Sequence, residues 1–131
     1  MSNIDFDLTK IKSIIFEVDG VVSTDISPLH PSGEPMRVIN TKDGYAMQLA
    51  VKQGITLGII SGCDTFSIRK RFESLGFQYL YLNSKNKMND FRDFLQKCVQ
   101  FFLVIGNDSN EFRIFRIAVK AFDIWGNIAV V

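Results

Sequence analysis

A chain of 131 residues has room for one domain around one hydrophobic core. Its 47% hydrophobic and 22% charged content is ordinary for a soluble globular protein. Lysine and arginine total 15 against 14 acidic residues, a net charge of +1, so bulk electrostatics points to neither a nucleic acid nor an anionic membrane as partner.

Two cysteines, Cys63 and Cys98, are too few for a disulfide scaffold. No charged stretch followed by a long apolar run opens the chain, so no signal peptide is expected. The apolar runs are strand-sized and far short of a membrane span. The expectation is a reduced, cytoplasmic protein.

In chain order, residues 12–18 (KSIIFEV) form a short β-branched run with few polar breaks, the pattern of a strand buried on both faces. Residues 23–40 then break the rhythm. They hold all three prolines and the Ser32–Gly33 pair, which predicts an irregular excursion or β-hairpin. Tyr45 and Leu49 suggest a helix ending at Gly54. Residues 55–60 (ITLGII) predict the second strand. Ile68, Phe72 and Leu75 fall at helical spacing and Gly76 stops that helix; Arg69, Lys70 and Arg71 read as its wet face. Residues 79–82 (YLYL) predict the third strand, and Met88, Phe91, Leu95 and Cys98 the next helical stripe. Residues 101–105 (FFLVI), a stripe of Phe112, Phe115 and Val119, and residues 121–125 (AFDIW) complete the series. Strand and helix in alternation predict one α/β domain over residues 1–131, its parallel strands joined by right-handed crossovers with helices on both faces.

In open parallel sheets, ligands bind at the carboxyl ends of the strands. After the first strand come Glu17, Asp19 and Gly20; after the second, Ser61 and Gly62. Lys87 follows the third, and Gly106, Asn107, Asp108 and Glu111 follow the fourth. Acids, a small hydroxyl and a lysine on one edge suit a divalent cation together with a phosphate, since acids hold the metal while hydroxyl and ammonium hold phosphate oxygens. A phosphoreceiver domain is set aside, because it needs an aspartate ending the third strand and this one runs into Asn83 and Ser84. His30, between prolines, reads as a loop residue, and Cys98 as core.

The order of these groups resembles the haloacid-dehalogenase superfamily. Glu17-Val18-Asp19-Gly20 match its Asp-x-Asp-Gly motif, Ser61 its second, Lys87 its third, and residues 106–111 its acidic fourth. Within that superfamily the chain more closely resembles the 3-deoxy-D-manno-octulosonate 8-phosphate (KDO 8-phosphate) phosphatases and the related domain appended to some sialic-acid activating enzymes. The matching series is Asp19-Gly20-Val21-Val22, Ser32-Gly33-Glu34, Lys42-Asp43-Gly44-Tyr45, Gln53-Gly54-Ile55, Ile59-Ile60-Ser61-Gly62, Leu75-Gly76 and Asn86-Lys87-Met88. It runs from about residue 12 to about residue 123.

The resemblance implies a Rossmann-like fold with no large cap domain and a Mg²⁺-dependent phosphomonoesterase acting on a small phosphorylated sugar or sugar acid. Glu17 and Asp19 take the catalytic places and Ser61, Gly62 and Lys87 the phosphate-binding ones. Glu17, Asp19, Asn107 and Asp108 stand at the metal. The family's hairpins build a tetramer, so the excursion at 23–40 is expected to mediate homo-oligomerisation.

Departures from the pattern bear on activity. The nucleophilic aspartate is replaced by Glu17, whose extra methylene moves the carboxylate by roughly an ångström, a misplacement that can cost on the order of 100-fold in rate. Asn107 stands for a metal-binding aspartate, Glu111 for a shorter acid, and Cys63 for the arginine usual after the Ser/Thr-Gly pair. The family's glycine-rich, arginine-bearing C-terminal segment has no counterpart up to Val131. The expectation is therefore a phosphatase-like protein of weak or no activity. The alternative is a non-catalytic descendant serving as a binding or assembly module.

Overall fold

The computed structural model describes residue 9, residues 11–24 and 27–98, and the backbone of 102–105 and 128–130. Among the described residues five parallel strands form one sheet in the order β3-β2-β1-β4-β5. They are β1 (Ser13–Phe16), β2 (Thr56–Ile60), β3 (Tyr79–Tyr81), β4 (Phe102–Ile105) and β5 (Ile128–Val130). Helices α1 (Thr41–Lys52) and α2 (Phe66–Leu75) enter and leave β2, and α3 (Lys87–Lys97) connects β3 towards β4. The α/β architecture expected from the alternation is present, and with it the Rossmann-like fold implied by the resemblance. No described helix is long and apolar enough to cross a membrane.

Each described helix starts where a side chain can replace missing backbone acceptors. Asn40 accepts from Lys42 N at 2.8 Å, Thr65 from Ile68 N at 3.3 Å, and Asn86 from Asn89 N at 3.1 Å. The sheet then divides the core into two. On one face Met47 of α1 and Ile68, Phe72 and Leu75 of α2 pack on Leu57 and Ile59. On the other, Phe91 and Phe94 of α3 pack on Ile15 and Ile60. Period-two alternation along β2 feeds both cores, which is why that run reads as continuously apolar. Gly58 sits where a Cβ would stand 2.9 Å from the Phe94 ring, so its missing side chain admits α3 to the sheet.

Several expectations change in detail. Tyr45 and Leu49 do lie on a helix, but both are exposed; α1 turns Gly44 and Met47 inward instead. Arg71 is not purely solvated. It is half-buried, and its Nη2 stands 2.7 Å from where a Cβ on Gly44 would lie. The first strand is shorter than residues 12–18, because the chain turns at Val18. Phe94, outside the expected α3 stripe, is fully buried. The stripe of Phe112, Phe115 and Val119 and the strand at 121–125 lie outside the described residues. The last described strand is Ile128–Val130, three residues too short for periodicity to mark.

The described residues of the excursion, 23–24 and 27–40, fold back as expected of a hairpin. Antiparallel bridges join Ser23 to Ile39 and Leu29 to Pro35. The tip is a tight turn in which Gly33 N donates to His30 O at 2.7 Å. This excursion returns the chain to α1 beside the carboxyl edge of the sheet.

Candidate active site

The carboxyl end of β1 leads into a five-residue turn, Val18–Val22, closed by Ser23 N donating to Val18 O at 2.9 Å. Asp19 (φ −69°, ψ 124°) and Gly20 (φ 73°, ψ 3°) take type II turn angles, and the positive φ at the second position is one that glycine adopts without strain. The turn carries Glu17 and Asp19 to the edge as neighbouring acids.

Glu17 is buried. Its Oε1 accepts from Val18 N at 3.0 Å, and its Oε2 forms an ion pair with Lys87 Nζ. Only 9% of the Glu17 side chain and 15% of the Lys87 side chain are exposed. Lys87 is the first residue of α3, positioned by its neighbour Asn86 as the cap. Loops from β2 and β3 are laced together beneath it: Ser61 N donates to Tyr81 O and Ser84 N to Ser61 O, each at 2.9 Å. The first and third motifs therefore meet across 70 residues of sequence.

Ser61 is fully buried at the end of β2. Its Oγ accepts from Cys63 N and donates to Cys63 Sγ, both at 3.3 Å, so the hydroxyl is held by its own loop. Gly62 is exposed, and a Cβ there would meet nothing within 4 Å. Cys63 is buried, and burial pushes its thiol above the ordinary range, with the nearby Arg37 charge opposing. It is a packed thiol.

Asp19 has a partner that the sequence motifs did not reveal. Arg37, from the excursion, donates from Nε to Oδ1 at 2.5 Å and from Nη2 to Oδ2 at 3.0 Å. The pairing holds the guanidinium more firmly protonated than usual. A signal was available: Arg37 is the sole lysine or arginine in residues 23–40, a segment that must return towards the acids. Beyond Arg37 opens a cavity of about 670 Å³, lined by His30, Ser32, Thr41, Thr65 and Arg71 among others. Glu17, Asp19, Ser61 and Lys87 are not part of its wall.

The described residues supply two of the four expected metal positions, Glu17 and Asp19. All four oxygens of Glu17 and Asp19 accept from Val18 N, Lys87 or Arg37. No group of three or more His, Cys, Asp or Glu side chains among the described residues could hold a metal. Asn107, Asp108 and Glu111, the remaining candidates, lie outside the described residues.

Comparison with known proteins bears on the family and the fold. No established family profile matches the chain. The KDO 8-phosphate phosphatase of Escherichia coli K12 is 33% identical over 87 residues, covering 66% of this chain and 46% of the relative. The chain thus spans about half the length of the curated relatives it matches. Among solved structures, the cobalt-bound deoxy-D-mannose-octulosonate 8-phosphate phosphatase of Haemophilus influenzae superposes with a TM-score of 0.70 at 25% identity, covering 76% of this chain and 60% of that one. A Legionella pneumophila protein described as a haloacid-dehalogenase superfamily hydrolase gives 0.72 at 25% identity, covering 79% and 59%.

Proposed function

The chain belongs to the haloacid-dehalogenase superfamily and is similar to its KDO 8-phosphate phosphatases, and from that premise we propose a sugar-phosphate phosphatase-like protein with weak or no hydrolase activity. The observation that carries this reading is the ion pair of Glu17 with Lys87, which joins the nucleophile position to the phosphate-holding lysine at the sheet's carboxyl edge. Lys87 and Ser61 would hold phosphoryl oxygens, Glu17 would attack or position water, and Asp19 would serve the leaving oxygen. The sugar would extend into the hydroxyl-lined cavity beyond Arg37.

The same geometry argues for low activity. Glu17 must release Lys87 and Val18 N to reach phosphorus, and Asp19 must leave Arg37 before it can serve the leaving group. A divalent cation, when bound, would offset phosphoryl charge; Mg²⁺ is the ion we propose, held weakly. A cytoplasmic location completes the reading. The test is hydrolysis of a panel of sugar phosphates and sugar-acid phosphates, with and without Mg²⁺. Turnover near background supports the proposal, and brisk turnover refutes it.

A second reading, a non-catalytic assembly module, is favoured by one surface feature. Leu29, Met36 and Val38 of the excursion are exposed, as are Tyr45, Leu49 and Phe66 on the adjoining helices. A second copy of the chain is the proposed occupant, with a tetramer as the expected assembly.

A further inference from the structure

Helix α1 has apolar residues on both sides. Its inner side carries Gly44 and Met47, both buried. On the outer side Tyr45 is 69% exposed and Leu49 45%, and Ala46 between them is exposed as well. A surface helix that faces only water carries polar side chains there. The apolar surface continues past Ala46 and Ala50 into a groove of about 310 Å³ between α1 and β1, lined by Ile14, Phe16 and Val21 among others. Contiguous apolar surface of this kind marks a place where something docks.

The order of residues along the helix indicates what docks. α1 is 12 residues long, about 18 Å. A twofold axis across its middle, between Met47 and Gln48, lays two copies of the helix antiparallel. Leu49 of one copy then stands level with Ala46 of the other, and Tyr45 level with Ala50, so each large side chain is set against a small one. The same axis brings Asp43, at the start of one helix, to the end of the other that carries Lys52. Both are exposed, and among the described residues neither is in an ion pair. A parallel arrangement would instead set Leu49 against Leu49 and Asp43 against Asp43. A surface that matches its own image under a twofold rotation is what an isologous contact requires.

We propose that the outer face of α1 is a self-association surface on which a second copy of the chain docks antiparallel, roofing the groove beside Ala46 and Ala50. This extends the assembly reading by naming a contact separate from the excursion, and it stands whether or not the site hydrolyses phosphate esters.

Sedimentation velocity of the full chain over a concentration series tests this, with circular dichroism to confirm the fold of each variant. Wild type should associate. Leu49→Lys puts a charge in the middle of the contact and should weaken association by about tenfold. Asp43→Lys and Lys52→Asp should each weaken it by about threefold through like charges at the rim, and the double variant should recover wild-type affinity. A folded Leu49→Lys that associates like wild type overturns the inference, as does a wild type that stays monomeric at every concentration. If Leu49→Lys does not fold, the charge pair decides: single variants that match wild type, or a double variant that stays weak, overturn it. Shortening the excursion between residues 27 and 37 should leave this contact and its charge-swap recovery in place. Loss of all association there overturns the α1 contact and leaves assembly through the excursion standing.

Discussion

Restoring aspartate at the nucleophile position is the perturbation that bears most directly on chemistry. Glu17→Asp draws the carboxylate back by roughly an ångström, the scale on which misplacement changes rate by on the order of 100-fold. The retreat also has a structural cost. Glu17 holds Val18 N through one oxygen and Lys87 through the other, and a shorter side chain cannot keep both. Loss of one such buried contact should destabilise by about 1–3 kcal/mol, visible as a lower urea midpoint. Turnover by Glu17→Asp alone should stay small, because Asn107 brings no charge to a cation. Glu17→Asp with Asn107→Asp should give measurable Mg²⁺-dependent release of phosphate, exceeding the product of the single effects, since groups acting as a unit are not additive. The assay is phosphate release from p-nitrophenyl phosphate and sugar phosphates across the four proteins of the cycle. A wild type that is already fast, and remains so in Glu17→Gln, would refute the assignment of the nucleophile position.

Shortening the excursion between residues 27 and 37 removes Leu29 and Met36 from the exposed apolar surface. Light scattering should then report a smaller particle, and an unchanged mass removes self-association through this element. Gly58→Ala places a methyl 2.9 Å from the fully buried Phe94 ring, so overpacking should cost about 1–3 kcal/mol in urea unfolding, and a neutral result would contradict the close approach of α3. Cys63, raised by burial, should resist alkylation in the native protein, and reaction as fast as in urea would sink that reading. Because its folded value lies above the ordinary thiol value of 9.0, its contribution to stability is present below that pH and is lost as pH rises beyond it.

How much of this was legible depended on whether a residue's neighbour lay close in sequence or in a periodic pattern. The strands at 55–60 and 79–82 were readable as short, continuously apolar runs, and the stripe Ile68, Phe72, Leu75 by its helical spacing. Tyr45 and Leu49 marked the helix but not its inner face, because both are exposed and Gly44, which is buried, carries no hydropathy signal. Ser61 and Lys87 were placed by motif order, yet the Ser61–Cys63 bonds were not, since they depend on loop conformation. Arg37 escaped altogether. An arginine that acts from 18 residues away, out of an irregular segment, belongs to no periodicity and to none of the motifs.

The two acid–cation pairs also decide what the departures from the family pattern mean together. Each pair ties two separate elements: Glu17 with Lys87 joins the end of β1 to the start of α3, and Asp19 with Arg37 joins the turn after β1 to the excursion. Removing one member of a buried pair strands the other charge, at a cost of about 3–5 kcal/mol, although the intact pair contributes little net stability. Glu17 and Lys87, both largely covered, are therefore hard to change singly whether or not the site turns over substrate. Retention of acid and lysine at these positions is then weak evidence for activity, because folding alone would hold them there. The length of the acid is the better discriminator. Folding is served by any carboxylate that reaches Lys87, and glutamate reaches it, whereas in-line attack on phosphorus requires a defined distance that only one of the two acids meets. On the proposed reading of weak or no activity, a glutamate at position 17 is what would remain if the clamp were kept and the constraint imposed by chemistry relaxed.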